Sequence, residues 1–178
     1  GRTVEVAADD IPGLVARARA ERAGLTSVGP EAPLAAGIGD AFAAERLPLF
    51  GPSAAAARIE SSKAFAKQLM FDEGVPTAEF EVFTDPDAAL DYVRSGSGPV
   101  VVKASGLAAG KGAIVCSDRE EAERAVREVM VDRRFGSAGD ERVVEEFMEG
   151  EEMSVFFLSD GVTAVPLVPS RDHKRRLE

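Results

Sequence analysis

Residues Val100–Cys116 read VVVKASGLAAGKGAIVC, and the fold turns on this stretch. Two β-branched runs, Val100–Val102 and Ala113–Val115, flank a loop made almost wholly of Gly, Ala, Ser and Lys. A strand, a small-residue loop and a second strand allow a backbone to come close enough to wrap phosphates. Gly106, Gly110 and Gly112 carry no Cβ, so the chain can bend there and present N–H groups to an anion. Lys103 and Lys111 add compact positive charge on flexible stems. Spacing rules out two other phosphate loops. A P-loop needs Gly-x-x-x-x-Gly-Lys-Ser/Thr opening a helix, and a dinucleotide fingerprint needs Gly-x-Gly-x-x-Gly between strand and helix; neither order occurs here. The stretch reads as a flexible cover over phosphates on a β-hairpin. On these residues alone an ordinary mobile hairpin tip stays equally open, because turn chemistry favours glycine too.

Upstream, residues 10–23 predict a helix, with Ile11, Leu14, Val15 and Ala18 on one face, Asp9 or Asp10 at its start and Gly24 after its end. Leu25–Val28 predicts a short buried strand, and Gly29-Pro30-Glu31 a turn. Leu34, Ile38, Ala41 and Phe42 mark one further helix, and Leu47–Phe50 a strand closed by Gly51-Pro52. This alternation implies a parallel sheet with helices on its faces. In such sheets ligands gather beyond the carboxyl ends of the strands, where Gly29–Leu34 lies.

After Pro52, Ser53 caps an Ala-rich helix, and Ser61 or Ser62 caps a second that turns Phe65 and Leu69 inward and exits at Gly74. Phe80 and Val82 alternate as a half-buried strand, and Thr84 opens a helix through Val93. Beyond the hairpin, Ser117 with Glu120 forms a capping box for a helix whose apolar face is Ala122, Ala125, Val126 and Val129. Arg133–Asp140 reads as a loop and Val143–Phe147 as a strand. Met153–Leu158 and Val162–Val168 read as two more strands, joined by the turn Ser159-Asp160-Gly161.

The chain has 178 residues, 45% of them apolar, enough for one large domain or parts of two. The formal charge is −10, from 21 basic and 31 acidic residues, which argues against nucleic acid as the main partner. No apolar run approaches the length of a membrane span, so no membrane association is expected. A single cysteine, Cys116, excludes an internal disulfide and fits a reducing cytoplasm. Gly1–Val6 looks like the end of an element already under way, and the terminal HKRRLE stops without cap or turn, so a fragment of a longer protein is the expectation.

Further features gain meaning from the loop. Lys63 stands at the start of a helix. The acidic run Glu145–Glu152 leaves a strand toward a Gly-containing link, where a nucleobase and ribose can be bound. His173, the only histidine, sits in SRDHK beside charged residues. Lys63, Lys103 before Gly106–Gly112, and an acidic strand exit about 40 residues on resemble the nucleotide site of the ATP-grasp superfamily. Within it, GPEAPL (29–34), FGPSAAAARIESSKAF (50–65), VKASGLAAGKG (102–112), EEFMEGEE (145–152) and SRDHKR (170–175) resemble the phosphoribosylamine–glycine ligase family, in order over nearly the whole chain.

That resemblance implies an α/β chain: a remnant of an N-terminal parallel-sheet (β-α-β) domain over residues 1–52, then an incomplete ATP-grasp domain over 53–178 with its lid at about 76–144. It implies an ATP-dependent ligase in purine biosynthesis that joins glycine to 5-phosphoribosylamine through a glycyl phosphate. The nearest rivals are another ATP-grasp carboxylate–amine ligase or carboxylase, and a non-catalytic nucleotide-binding module. It assigns Lys63 and Lys103 to the ATP phosphates, with Ser105, Gly106, Gly110, Lys111 and Gly112 closing over them. Glu145 would accept from the adenine amino group, backbone at Phe147 and Met148 would meet the ring, and Glu152 would hold ribose hydroxyls. Glu31, Asp172, His173 and Lys174 would lie on the substrate side. The family's Mg or Mn ligands are expected outside these residues, so no metal ligand is assigned and the chain alone is expected to lack ligase activity.

Overall fold

The computed structural model describes residues 2–108, 112–132 and 141–171. The chain divides into two compact units, one running to Phe147 and the other from Met148.

The first unit begins with helix α1 (Ile11–Ala20), whose cap Asp10 accepts from the Gly13 N–H at 2.9 Å. Strands β1 (Thr26–Ser27) and β2 (Leu49–Phe50) pair in parallel, Thr26 opposite Leu49. The strand expected at Leu25–Val28 is thus shorter, and Leu25 is 65% exposed rather than buried. The single helix expected around Leu34–Phe42 is two, α2 (Glu31–Ala35) and α3 (Ile38–Ala44). Gly37 divides them at φ 93°, a left-handed conformation that a side chain would resist. Ala18, Ile38 and Phe42 are the buried centre of this region, with Leu14, Val28 and Leu34 packed around them.

Helix α4 (Ala54–Ser61) starts at Ser53, which accepts from Ala56 N–H, and α5 (Lys63–Asp72) at Ser62, which accepts from Phe65 N–H. The buried side chains of α5 are Ala64, Ala66 and Lys67, while the expected inward pair Phe65 and Leu69 is only half-buried. Next come β3 (Phe80–Phe83), α6 (Pro86–Ser95), β4 (Val100–Ala104), β5 (Ala113–Cys116), α7 (Arg119–Met130) and β6 (Arg142–Glu146). The four strands form an antiparallel sheet in the order β3-β6-β4-β5. β4 and β5 pair as the hairpin the sequence predicts, Val100 opposite Cys116 and Lys103 opposite Ala113. Both following helices start one residue later than expected. Asp85, not Thr84, caps α6, and Asp118, not Ser117, caps α7 by accepting from Glu121 N–H at 2.9 Å. Glu121 in turn accepts from Ser117 N–H at 2.8 Å, so the reciprocal cap exists but is shifted along the chain.

Alternation gives the sheet two unlike faces. Val102, Val144 and Cys116 pack with Ala89, Leu90 and Val93 of α6 and with Ala122, Ala125 and Val126 of α7. Burial there pushes the Cys116 thiol up to about 11, with the Glu121 carboxylate adding to the shift, so the group is a small apolar filler and not a nucleophile. Arg142 is fully buried and donates to Val129 O at 2.8 Å in the last turn of α7, a carbonyl with no partner within the helix. Val101, Lys103, Val143 and Glu145 project from the opposite face.

In the second unit β7 (Met153–Ser154) pairs antiparallel with β10 (Ser170–Arg171). The strands expected at Met153–Leu158 and Val162–Val168 are interrupted, and the paired hairpin is β8 (Phe157–Ser159) with β9 (Ala164–Pro166). Asp160 closes its turn by accepting from Val162 N–H at 2.9 Å and Thr163 N–H at 2.7 Å. Among the described residues, no helix is long and apolar enough to cross a membrane.

Candidate functional site

The base of the small-residue loop docks onto the start of α5. Lys63 N–H donates to Ser105 O at 2.8 Å, and Ala64 N–H donates to Ser105 Oγ at 3.1 Å. The same hydroxyl donates to Glu141 Oε2 at 3.0 Å, and Ser105 N–H donates to Glu141 O at 3.0 Å. Ser105 is 3% exposed, so its side chain ties strand to helix instead of facing an open loop. Lys63 Nζ reaches Gly106 O at 3.4 Å, which holds the ammonium at the loop's first glycine. An ammonium carries three donors, and this long bond leaves it able to meet an anion as well.

Ala104 N–H donates to Gly112 O at 2.7 Å and closes the other side of the loop. A Cβ on Gly112 would stand 2.6 Å from Ala108 Cβ and 3.4 Å from Ala104 Cβ. A side chain at this position would therefore have to displace Ala108. Gly110 and Lys111, both expected at the phosphates, lie outside the described residues, as do Asp172, His173 and Lys174.

Lys103 and Glu145 are diagonal neighbours on adjacent strands: Val101 is opposite Glu145, and Lys103 is opposite Val143. Their side chains form an ion pair. Glu145 is 6% exposed and also pairs with Lys67 Nζ at 2.6 Å. Phe80, opposite Glu145 on β3, lies under Lys67, whose Nζ is 5.6 Å from the ring centroid. The structure thus brings together Lys63, Ser105 and Gly106 at one point and Lys103 and Glu145 at another. Phe147 is half-buried just past β6, at the end of the same unit. Met148 and Glu152 belong to the second unit and are exposed, Met148 at 65%. Glu31 is exposed in the first turn of α2, past the carboxyl end of β1.

Lys67 is the residue that sequence reasoning missed. Its one signal was its place four residues after Lys63, on the same helical face. Its partners Thr77 Oγ1 at 2.7 Å, Ala78 O at 3.3 Å and Glu145 come from the following link and from a strand far along the chain.

Family models match the whole chain. Residues 1–60 match the phosphoribosylglycinamide synthetase N domain, and residues 61–178 match the phosphoribosylglycinamide synthetase ATP-grasp (A) domain. The chain belongs to the phosphoribosylglycinamide synthetase family. A phosphoribosylamine–glycine ligase from Yersinia pestis is 52% identical over 97% of this chain. One from Allochromatium vinosum is 54% identical over 97%. The chain spans 40% of the length of each of these relatives. The crystal structure of phosphoribosylamine–glycine ligase from Thermotoga maritima superposes with a TM-score of 0.66 at 36% identity, covering 75% of this chain and 34% of that one. Biotin carboxylase from Campylobacter jejuni, at 23% identity, shares the fold with a TM-score of 0.71 over 89% of this chain and 36% of that one. The α/β class and the ATP-grasp relationship expected of this family member both hold.

Among the described residues, no group of three or more His, Cys, Asp or Glu side chains is placed to hold a metal ion.

Proposed function

We propose that the protein carrying this chain uses ATP to join glycine to 5-phosphoribosylamine, giving glycinamide ribonucleotide, ADP and phosphate. The observation that carries this reading is the consecutive match to both the N and the ATP-grasp domains of one synthetase family, residues 1–60 and 61–178. The chemistry suits the site. A carboxylate is a poor acylating agent because oxide leaves badly. Phosphorylation of glycine supplies a leaving group, and the ribosylamine nitrogen then displaces phosphate from the glycyl phosphate. Such a mixed anhydride must be kept from water, which is a task for a cover. The protein's contribution is positioning and charge stabilisation.

In this scheme Lys63 and Lys103 neutralise phosphate oxygens. The loop from Gly106 to Gly112 lies over the phosphates, its base fixed by Ser105 to α5 and Glu141. Glu145 and the backbone at Phe147 and Met148 take the adenine, and Glu152 the ribose. Glu31, Asp172, His173 and Lys174 are the residues assigned to the amino acid and the ribosylamine. The four-stranded sheet with α6 and α7 serves as the cover, within the lid expected at about residues 76–144.

Phosphate release by the complete protein, followed with glycine and 5-phosphoribosylamine and with other carboxylic acids and amines in their place, tests the reading. Turnover is expected only with both named substrates. Turnover with a different acid or acceptor, and none with glycine and the ribosylamine, would make the protein another carboxylate–amine ligase.

A further inference from the structure

Two lysines share one buried carboxylate here, and they are held very differently. Lys67 has an 11% exposed side chain and three polar partners, Thr77 Oγ1 at 2.7 Å, Ala78 O at 3.3 Å and Glu145 Oε2 at 2.6 Å. Two of its donors go to Thr77 and Ala78 as hydrogen bonds and it pairs with Glu145 as an ion, so this cation is held by the protein on all of these sides. Lys103 has a 28% exposed side chain, pairs with Glu145 Oε1, and stands on β4 just before the small-residue loop. One cation is fixed in the interior and the other sits at the rim.

A carboxylate that is 6% exposed tolerates the departure of one cation only if another remains. We propose that Lys67 is a positioning residue that keeps Glu145 compensated, so that Lys103 can leave it for a nucleotide phosphate. The inference rests on the nucleotide reading above. Lys67 itself touches no ligand. Without it, Glu145 would depend on Lys103 alone, and a phosphate would compete with a buried carboxylate for that one ammonium.

The test is ATP affinity, measured by calorimetry in the complete protein for the parent, Lys103→Ala, Lys67→Met, Glu145→Gln and the Lys67→Met/Glu145→Gln double variant. Lys67→Met is expected to weaken ATP at least about tenfold in the parent background but less than about threefold in the Glu145→Gln background, where no charge remains to retain Lys103. Lys67→Arg, which keeps the charge, should stay within about threefold of the parent. Equal losses in both backgrounds would make Lys67 merely structural and overturn the proposal, as would parent-like affinity in Lys67→Met. If circular dichroism shows Lys67→Met unfolded, Lys67→Gln in the same two backgrounds gives the same comparison. A folded parent that binds no ATP, or parent-like affinity in Lys103→Ala, would instead overturn the nucleotide reading itself.

Discussion

The two faces of the β3-β6-β4-β5 sheet come from the same strands and share almost nothing else. On the helix side, Val102, Val144 and Cys116 meet α6 and α7 in an apolar layer that is nearly inaccessible to water. On the other side, one residue along each strand, Lys103 and Glu145 form an ion pair backed by Lys67. The first face gives up chemistry for cohesion. The second accepts the cost of burying charge, which apolar residues of similar size would avoid. A buried ionic cluster is weak evidence of stabilisation, and the nucleotide reading proposed above gives this one a use.

Substitutions can break this contrast. Val126→Asp puts an unpaired charge into the helix-side layer, where Val126 is fully buried. It should destabilise the fold by more than about 3 kcal/mol in denaturant unfolding. A cost below about 1 kcal/mol would mean that the layer is not a rigid core. The Cys116 thiol ionises in the unfolded chain near its ordinary value of 9.0 but only at about 11 in the folded one. Its contribution is fully present below pH 9 and is lost as pH rises toward about 11, by at most about 3 kcal/mol. Cys116→Ala should therefore flatten the stability profile across that window, and an unchanged slope would place the alkaline loss elsewhere.

Lys103→Ala, on the charged face, should weaken ATP at least about tenfold, on the order of 1.4 kcal/mol, in calorimetry. Its unfolding free energy should change by less than about 1 kcal/mol, because Lys67 still compensates Glu145. Asp118→Ala removes the α7 cap and should cost about 1 kcal/mol of stability with ATP affinity intact. If affinity fell as well, the two faces would be coupled and the contrast would need revision. The smallest effect is expected of Gly112→Ala. The added Cβ must push Ala108 aside, and ATP should weaken about threefold, roughly 0.7 kcal/mol, with little change in thermal midpoint.

Much of this was legible locally. The run VVVKASGLAAGKGAIVC specified its hairpin, because β-branched residues on both sides of a small-residue loop have few alternatives. Ala122, Ala125, Val126 and Val129 lie on the buried face that their spacing predicts. The misplacements were also local in origin. Ser117 and Asp118 are adjacent cap residues, each with a Glu three positions on, and the sequence does not rank them. The apolar spacing of Leu34, Ile38, Ala41 and Phe42 predicts one helix, and it is broken at Gly37, whose φ is 93°.

The sequence by itself determined the β4–β5 hairpin, the apolar face of α7, the caps of α6 and α7 to within one position, the glycine loop, and the residue types available for a phosphate site. Those properties depend on neighbours a few residues apart. Tertiary structure decided which charges meet. Lys67 lies on a helix, Lys103 on β4 and Glu145 on β6, and they converge only because β6 inserts between β3 and β4. Periodicity marks a lysine as an exposed group by default. Only the placement of Thr77, Ala78 and Glu145 around one ammonium makes its burial affordable.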